Sequence, residues 1–497
     1  MENKSPRNHQ IGALKAINTF NEGIIHLPTG SGKTFIQALS IAGSIDKGAE
    51  WVGEHDIPVF TILAPRILLS DQLFNEVRNI LASMKKDCQY LIVHSGNTED
   101  RSDTWAHSLP YRQIQSTTKV SVIKTEYERA RAEKVPLIII GTYDSAERIM
   151  QAEIPVYMTS CDEAQYLVSE EFHYIALENK DPFTKQFQSH RKYYYTATLK
   201  VTASDKGMGM NNEDDFGQVI YSKTPLELIH AGEIVRPRIH LVNTIDNSFA
   251  DEVDKDATAI TESFREHLVN VNTGAKLLVV TKGSEHLNDI VNHPKIKTLR
   301  MIRPNLKIFD ISSAYHPRIN GSIVTREDFL AEMQGLTDQD EAIIFHVRIL
   351  AEGIDVPGIT GIMPMGSLGL STFLQTLGRA SRLHPGDRKR LYGFEIKASE
   401  TDLMIKPYAW IIMPIYGIIE EDDRVRMTDI IYALRDHGFK AAEDVFVKIS
   451  RGKAIPEALG GVNEKDEAKK KLIDTFIEIE HTIEEQEIAD ALALEKF

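Results

Sequence analysis

The sequence predicts an α/β protein: two doubly wound parallel-sheet lobes followed by a helical C-terminal extension. Three observations predict it. Short apolar runs alternate with amphipathic stretches through the first half of the chain, the pattern of parallel strands covered by helices on both faces. The same rhythm restarts near residue 275. It fades after residue 414. With 497 residues, two or three domains are expected. The pattern places them at 1–230, 236–414 and 415–497.

In the first lobe, Gly23–Leu27 reads as a strand, followed by a glycine turn and a helix from Lys33. Val59–Leu63 is a second strand, with a helix through Leu68 to Ile80. Tyr90–Val93, Leu137–Ile140 and Val156–Cys161 continue the series, and the tyrosines 193 to 195 read as a buried strand. Asn97 to Lys134 is more polar and reads as a surface excursion. Arg236–Arg238, with its proline, reads as a linker. In the second lobe Ala275–Val280, Ile343–His346 and Gly361–Pro364 are the strands. Trp410–Ile419 is apolar but short and proline-containing, a strand running into a loop. Beyond it, Met427–Leu434 and Lys465–Leu494 read as helices. The second of these carries Ile473, Phe476, Ile477 and Ile479 among acids and is a surface helix or a partner-binding one.

Composition narrows the function classes. Cys88 and Cys161 are too few for a disulfide framework or a Cys-rich zinc site, so a reducing, intracellular compartment is expected. The first ten residues lack the apolar core of a secretory signal, and no run approaches the roughly 20 apolar residues that span a bilayer. The net charge of −15 argues mildly against nucleic acid. That sum is weak evidence, because acids crowd the segment after Leu472 and binding needs only a local basic stripe.

Two motifs carry chemistry. Pro28, Thr29, Gly30, Ser31, Gly32, Lys33 and Thr34 lie between a strand and a helix. Glycines there let backbone N–H groups turn around phosphate oxygens, and the helix N-terminus adds partial positive charge. Lys33 can reach the β- and γ-phosphates of a nucleotide, and Thr34 can bind Mg²⁺. Asp162-Glu163-Ala164-Gln165 follows another apolar strand. Asp162 is the candidate Mg²⁺ ligand, and Glu163 the candidate base that orients and deprotonates water. Two acids after a strand are common; downstream of a phosphate loop they gain meaning.

With these residues in view, the chain resembles superfamily 2 helicases and translocases across roughly residues 5 to 414. Its phosphate loop has Leu27 where the strict pattern wants glycine, and resembles the proline-led helicase form. Arg7–Gln10 resembles the glutamine motif that reads adenine. Ala64-Pro65-Arg66 with Gln72 resembles motif Ia, Gly141-Thr142-Tyr143 motif Ib or Ic, and Thr196-Ala197-Thr198 motif III. Lys276–Lys282 resembles motif IV, Glu352–Pro357 motif V, and Gln375–Arg382 motif VI. Taken singly, Gln10 reads better as a surface residue, Arg66 and Gln72 read equally well as ordinary helix-start residues, and Thr142, Thr196 and Thr198 read as strand-end residues. Their order along the chain gives them weight.

The resemblance implies two RecA-like lobes, ATP and Mg²⁺ as cofactors, and a nucleic-acid-dependent ATP hydrolase. ATP would contact Gln10, residues 28 to 34, Gly353 and Asp355. Lys33, Glu163, Gln375, Arg379 and Arg382 would carry catalysis, the arginines reaching the γ-phosphate from the second lobe. Thr34 and Asp162 would hold the metal. Arg66, Gln72 and Thr142 would grip nucleic-acid phosphates. Gln165 departs from the His or Asp of many relatives, and motif VI is not His-led. This points away from the Asp-Glu-Ala-Asp RNA helicases and toward DNA-directed phage, restriction and repair branches. DNA is therefore favoured over RNA, with unwinding, translocation within a restriction complex, and RNA unwinding all open. No nuclease signature or methyltransferase glycine motif is present. Few insertions beyond the core suit a phage or small bacterial helicase, hence a cytoplasmic location. A protein partner at the C-terminal helices is a further expectation.

Overall fold

The computed structural model describes residues 5–54, 56–95, 116–177, 186–204, 206–244, 249–312, 314–347, 356, 358–366, 368–416, 421–436, 439, 446–451, 474–475, 477–483 and 485–486. The chain forms two compact units, the first ending at Lys223 and the second starting at Thr224.

The first unit runs α1 (Asn8–Thr19), β1 (Glu22–His26), α2 (Lys33–Val52), β2 (Val59–Ala64), α3 (Ile67–Ser83), β3 (Gln89–Val93) and β4 (Ser116–Thr117). It continues through α4 (Val120–Glu133), β5 (Leu137–Thr142), α5 (Ala146–Gln151), β6 (Val156–Asp162), β7 (Arg191–Thr196), α6 (Glu213–Phe216) and β8 (Val219–Ser222). Among the described residues its strands form one parallel sheet in the order β4-β3-β5-β2-β6-β7-β1-β8. Successive side chains of a strand point to opposite faces. Leu137, Ile139, Val59, Leu63 and Tyr194 accordingly join one core, and Ile138, Ile140, Phe60, Ile62, Tyr193 and Tyr195 the other. Both faces are covered, which is why these strands read as unbroken apolar runs. Each fully buried side chain of this kind contributes about 1.5–3 kcal/mol.

The second unit runs α7 (Pro225–His230), β9 (Arg236–Thr244), α8 (Glu252–Asn270), β10 (Lys276–Val280), α9 (Ser284–Asn292), α10 (Pro294–Ile302), β11 (Lys307–Ile311), β12 (Arg318–Ile319) and β13 (Ser322–Ile323). Then come α11 (Arg326–Gln334), β14 (Ala342–His346), β15 (Gly361–Pro364), α12 (Leu370–Ala380), α13 (Pro385–Tyr392), β16 (Tyr408–Tyr416), α14 (Glu421–Asp436) and β17 (Phe446–Arg451). The sheet order is β13-β12-β11-β14-β10-β15-β16-β9-β17 among the described residues. It is parallel except for β11/β12 and β12/β13. The β12/β13 pair is closed by Asn320 and Gly321, both at positive φ (55° and 84°), the backbone a two-residue hairpin turn requires. Leu277, Val279, Ile343 and Phe345 pack with Ile260 and Phe264 of α8 in its core.

The expected α/β class and the doubly wound lobes are present, and three local expectations are corrected. Arg236–Arg238 opens β9, which lies between β16 and β17, and is not a linker. Its proline occupies the start of the strand, where a missing N–H is tolerated, and the Arg238 guanidinium lies 3.2 Å above the Tyr408 ring. The polar stretch before Lys134 includes α4, which buries Ile123, Tyr127 and Ala130 against the first sheet. Residues 96–115 of that stretch lie outside the described set. The C-terminal extension is not wholly helical, because β17 pairs in parallel with β9 and lengthens the second sheet. Of the final acidic helix, Ile473 and Phe476 are not described, Ile477 is exposed, and Ile479 and Ile483 are buried. No helix among the described residues is long and apolar enough to cross a membrane.

Candidate active site

All strands of the first sheet are parallel, so their carboxyl ends share one edge, where ligands of open α/β sheets bind. Register puts His26 of β1 beside Thr196 of β7, and Asp162 of β6 beside Tyr195 of β7. The phosphate loop, the acidic pair and Thr196 therefore issue from three neighbouring strands.

The loop itself is clamped from α1. Arg7 Nη2, His9 Nε2 and Gln10 Nε2 converge on the Ser31 carbonyl oxygen at 2.8, 2.9 and 3.0 Å. Gln10 Oε1 in turn accepts from the Arg7 backbone N–H at 2.9 Å. In a trans peptide the carbonyl and the next N–H point oppositely, so fixing Ser31 C=O toward α1 aims the Gly32 N–H away from it. Gly30 and Gly32 hold φ of 86° and 87°, the left-handed region that glycine enters without cost. A Cβ on Gly32 would meet Gln10 Nε2 at 2.6 Å and Arg7 Nη2 at 2.8 Å, so the clamp also excludes a side chain there. Lys33 opens α2, is buried, and donates from Nζ to the Leu27 carbonyl at 3.2 Å.

The acidic motif is equally connected. Gln37, one helical turn beyond Lys33, donates from Nε2 to Asp162 Oδ1 at 2.8 Å. Asp162 is 5% exposed. Its carboxyl is pushed up to about 7, first by burial and then by neighbouring Glu163, against the pull of Lys33. Glu163 sits at φ 50° and takes a hydrogen bond from Gln165 Nε2 at 2.9 Å. Gln165 Oε1 accepts from the Thr196 hydroxyl at 2.7 Å, and Thr196 Oγ1 accepts from the Thr198 N–H at 3.0 Å. One amide side chain thus links the acid to the end of β7. Its two ends match a carboxylate on one side and a hydroxyl donor on the other, which an aspartate in its place could not do.

These residues suit a magnesium nucleotide. Thr29 Oγ1 and Ser31 Oγ are buried at the loop without a hydrogen-bond partner among the described residues. Asp162 is an acid held near neutrality beside a second acid, a pair that a divalent cation would stabilise. The oxygen donors of Asp162 and Thr34 fit Mg²⁺, which takes one or two protein ligands and completes its shell with phosphate and water. Among the described residues no cluster of three or more His, Cys, Asp or Glu could hold a metal by itself.

Further along the same edge, Arg66 is the exposed residue preceding α3, and Ala64 of β2 pairs with Thr142 of β5. Thr142 is buried and its hydroxyl donates to Ser145 Oγ at 3.0 Å. Gln72 donates to Glu76 Oε1 at 3.2 Å along α3. The structure brings Arg66 and Thr142 to neighbouring strand ends, with Gln72 on the helix that Arg66 precedes.

In the second unit, Gln375 and Arg379 are buried on α12, four residues apart and hence on one face. Arg382 follows that helix; it bridges Ile234, and the Val235 N–H donates to Ser381 O at 2.8 Å. His346, fully buried at the end of β14, is pushed down to about 3 by burial and then by the Arg379 charge. Gly353 and Asp355 lie outside the described residues. Sequence reasoning placed Arg7–Gln10 in one motif but gave a role to Gln10 alone, and it missed Gln37. Gln37 had a signal, its i+4 spacing from Lys33.

Residues 3–203 match the family described as the res subunit of type III restriction enzymes. No curated protein is significantly similar in sequence. In structure the chain resembles the ATP-dependent type ISP restriction-modification enzyme LlaBIII bound to DNA. The TM-score is 0.66 at 15% identity, over 96% of this chain and 32% of that one. A nuclease-deletion mutant of the type ISP enzyme LlaGI, in complex with a DNA substrate mimic, gives 0.59 at 15% identity over 96% and 31%. The chain thus spans about a third of these two enzymes. The DEAD-box helicase Mss116, bound to ssRNA and UDP-BeF, gives 0.55 at 14% identity over 96% and 82%. The clamped phosphate loop, the acidic pair at the next strand ends and these likenesses together give the chain a superfamily 2 helicase/translocase fold, related to that of restriction enzymes and DEAD-box helicases.

Proposed function

We propose that the chain is a nucleic-acid-dependent ATPase that moves along or unwinds DNA, hydrolysing ATP where its two lobes meet. The observation that carries the reading is three hydrogen-bonded groups gathered on one sheet edge: Arg7, His9 and Gln10 on the loop, Gln37 on Asp162, and Gln165 from Glu163 to Thr196.

Bound Mg²⁺ would supply charge neutralisation at the β- and γ-phosphates. Lys33 would leave the Leu27 carbonyl and take up the phosphate oxygens, while Thr34 and Asp162 hold the metal. Glu163 would orient the attacking water and accept its proton, its carboxylate kept in place by Gln165. Gln10 would read the adenine edge. From the second lobe, Arg379 and Arg382 would stabilise charge on the transferring phosphoryl group, which a planar, permanently charged guanidinium suits. Gln375, Gly353 and Asp355 would complete the nucleotide contacts. Because Thr196 shares Gln165 with Glu163, a change at the acid would pass directly to the end of β7. Arg66, Gln72 and Thr142 would grip backbone phosphates, giving binding that is salt-dependent and indifferent to sequence.

The test is steady-state ATP hydrolysis without polymer, then with single-stranded, duplex and forked DNA and with RNA, at two salt concentrations. Stimulation by DNA is expected, and a preference for forks would favour unwinding. Hydrolysis indifferent to every polymer would sink the reading. The match of residues 3–203 to a restriction-enzyme subunit supports a second reading, a motor that translocates on duplex DNA within a larger complex. Stimulation by duplex without strand separation would select it. The C-terminal residues beyond β17 are then the first place to seek a protein partner.

A further inference from the structure

A buried lysine behind the second-lobe arginines has no part in the scheme above. Lys406 precedes β16, is 5% exposed, and donates from Nζ to the main-chain carbonyl of Arg382 at 2.8 Å. Its own position is fixed from α13. Asp387, fully buried, accepts the Lys406 N–H at 2.8 Å on one carboxylate oxygen and the Ile405 N–H at 2.7 Å on the other. From elsewhere in the unit, Val235 N–H reaches the Ser381 carbonyl at 2.8 Å and Ile234 bridges Arg382. The peptides on either side of Arg382 are therefore pinned by two separate segments of chain.

An ammonium is a costly way to make one hydrogen bond in a core. Burial lowers the Lys406 pKa to about 7, with the charges of Arg382 and Lys276 pushing the same way and Asp387 opposing. A methionine would fill similar volume without that cost, and replacing buried charge by apolar bulk is often neutral or stabilising. Stability alone therefore does not account for a lysine here. Its position does more: it holds the carbonyl of an arginine, and its like charge discourages the Arg382 guanidinium from folding back into the core.

We propose that Lys406 is a positioning residue that fixes the Arg382 backbone so that its guanidinium projects outward to the transferring phosphoryl group. The proposal rests on the reading of Arg382 given above.

The test uses the full chain, with wild type, Lys406→Met and Arg382→Ala measured side by side with saturating stimulating polymer. Lys406→Met is expected to keep or raise Tm, leave KM for ATP within about twofold, and lower kcat about 10- to 100-fold, the scale of an ångström-sized misplacement. Lys406→Gln is the second variant should Met disturb folding. Its amide stops one bond short of the carbonyl, so the same drop in kcat is expected. Wild-type kcat in a folded Lys406 variant, with Arg382→Ala inactive, overturns the inference and leaves the proposed function standing. Wild-type kcat in Arg382→Ala overturns both the role of Arg382 and the inference. A rise in KM that matches the fall in kcat/KM, with kcat unchanged, also overturns it, since lost binding is not lost positioning.

Discussion

Among carboxyls, imidazoles and amines, the group that burial shifts farthest in the first lobe is an acid, whereas in the second lobe such groups are two imidazoles and an amine. In the first, Asp162 is pushed up to about 7 by burial and by Glu163. In the second, burial pushes His267 and His346 down to about 3 and Lys406 down to about 7, and lowers Lys276 as well. The acid pair is poised to gain from a cation, and Gln37 and Gln165 hold it in shape for one. In the second lobe, His267 and His346 are neutral at pH 7, while Arg379 and Arg382 keep the permanent charge of a guanidinium.

The largest expected effect breaks the first-lobe side of this comparison. Lys33→Ala should lower ATP turnover by about 10³-fold or more, since one preorganised charge contact at a transferring group is worth about 10²–10³ and Lys33 also binds substrate. Circular dichroism should report an intact fold. Glu163→Gln should bind ATP normally yet turn over about 10²–10⁴-fold more slowly, the usual worth of a positioned base. A Glu163→Gln protein that fails to bind nucleotide would remove Glu163 from its assigned role.

How much of this was legible beforehand follows from where the signals lie. The phosphate loop and Asp162-Glu163 were legible because each is a contiguous run at a strand end, and strand, turn and helix all have local signatures. The helices that follow β1 and β2 and the buried tyrosine strand were legible for the same reason. The hold of Arg7 and His9 on Ser31 was not, because that residue is more than twenty positions away and only the fold brings them together. Lys406 was not, since nothing local distinguishes a buried lysine from a solvated one. β9 was misread because Arg236-Pro237-Arg238 has the composition of a linker, and only pairing to β16 and β17 reveals a strand. β11 escaped because Asp310 interrupts its apolar run, a charge that Arg318 meets at 2.6 Å.

The second-lobe side is sharpened by acid. His267 and His346 have native pKa values near 3 against 6.5. As pH falls from 6.5 toward 3, the unfolded chain takes up protons that the native state refuses, so stability is lost through that window. The upper bound is about 4–5 kcal/mol for each histidine, at about 1.36 kcal/mol per unit. Asp162 runs the other way: its native pKa is raised, so its cost to stability appears as pH rises from about 4 to about 7. Chemical denaturation at stepped pH should show His346→Leu flattening the acid limb. An unchanged acid limb in His346→Leu and in His267→Leu would show that burial of these rings is not what the two lobes differ in.

Smaller is the effect of ligand on the acid pair. Mg²⁺ with a non-hydrolysable ATP analogue at a hundred times Kd should stabilise the protein by about 2.7 kcal/mol, and chelating the metal should remove most of it. Asp162→Asn no longer needs a cation to offset its charge. It should therefore be more stable than wild type without ligand at pH 8, and gain little from Mg²⁺. A full ligand-induced gain in Asp162→Asn would place the metal elsewhere.

The smallest effect concerns the clamp on the phosphate loop. Three donors share the Ser31 carbonyl, and a carbonyl oxygen has two lone pairs, so the loss of one donor is partly covered by the others. His9→Ala should therefore cost about 0.5–1.5 kcal/mol of ATP affinity, a rise in Kd of about 2- to 12-fold, with the fold unchanged. Gln10→Ala removes a donor to Ser31 and also the acceptor that holds the Arg7 backbone N–H, so its rise should be larger than that of His9→Ala. The double variant should exceed the product of the two single effects, because Arg7 is then left to hold the carbonyl alone. Isothermal titration of the three variants with the nucleotide analogue decides it. Strictly multiplicative effects would mean that the donors act independently and that the carbonyl is held in place by something other than their convergence.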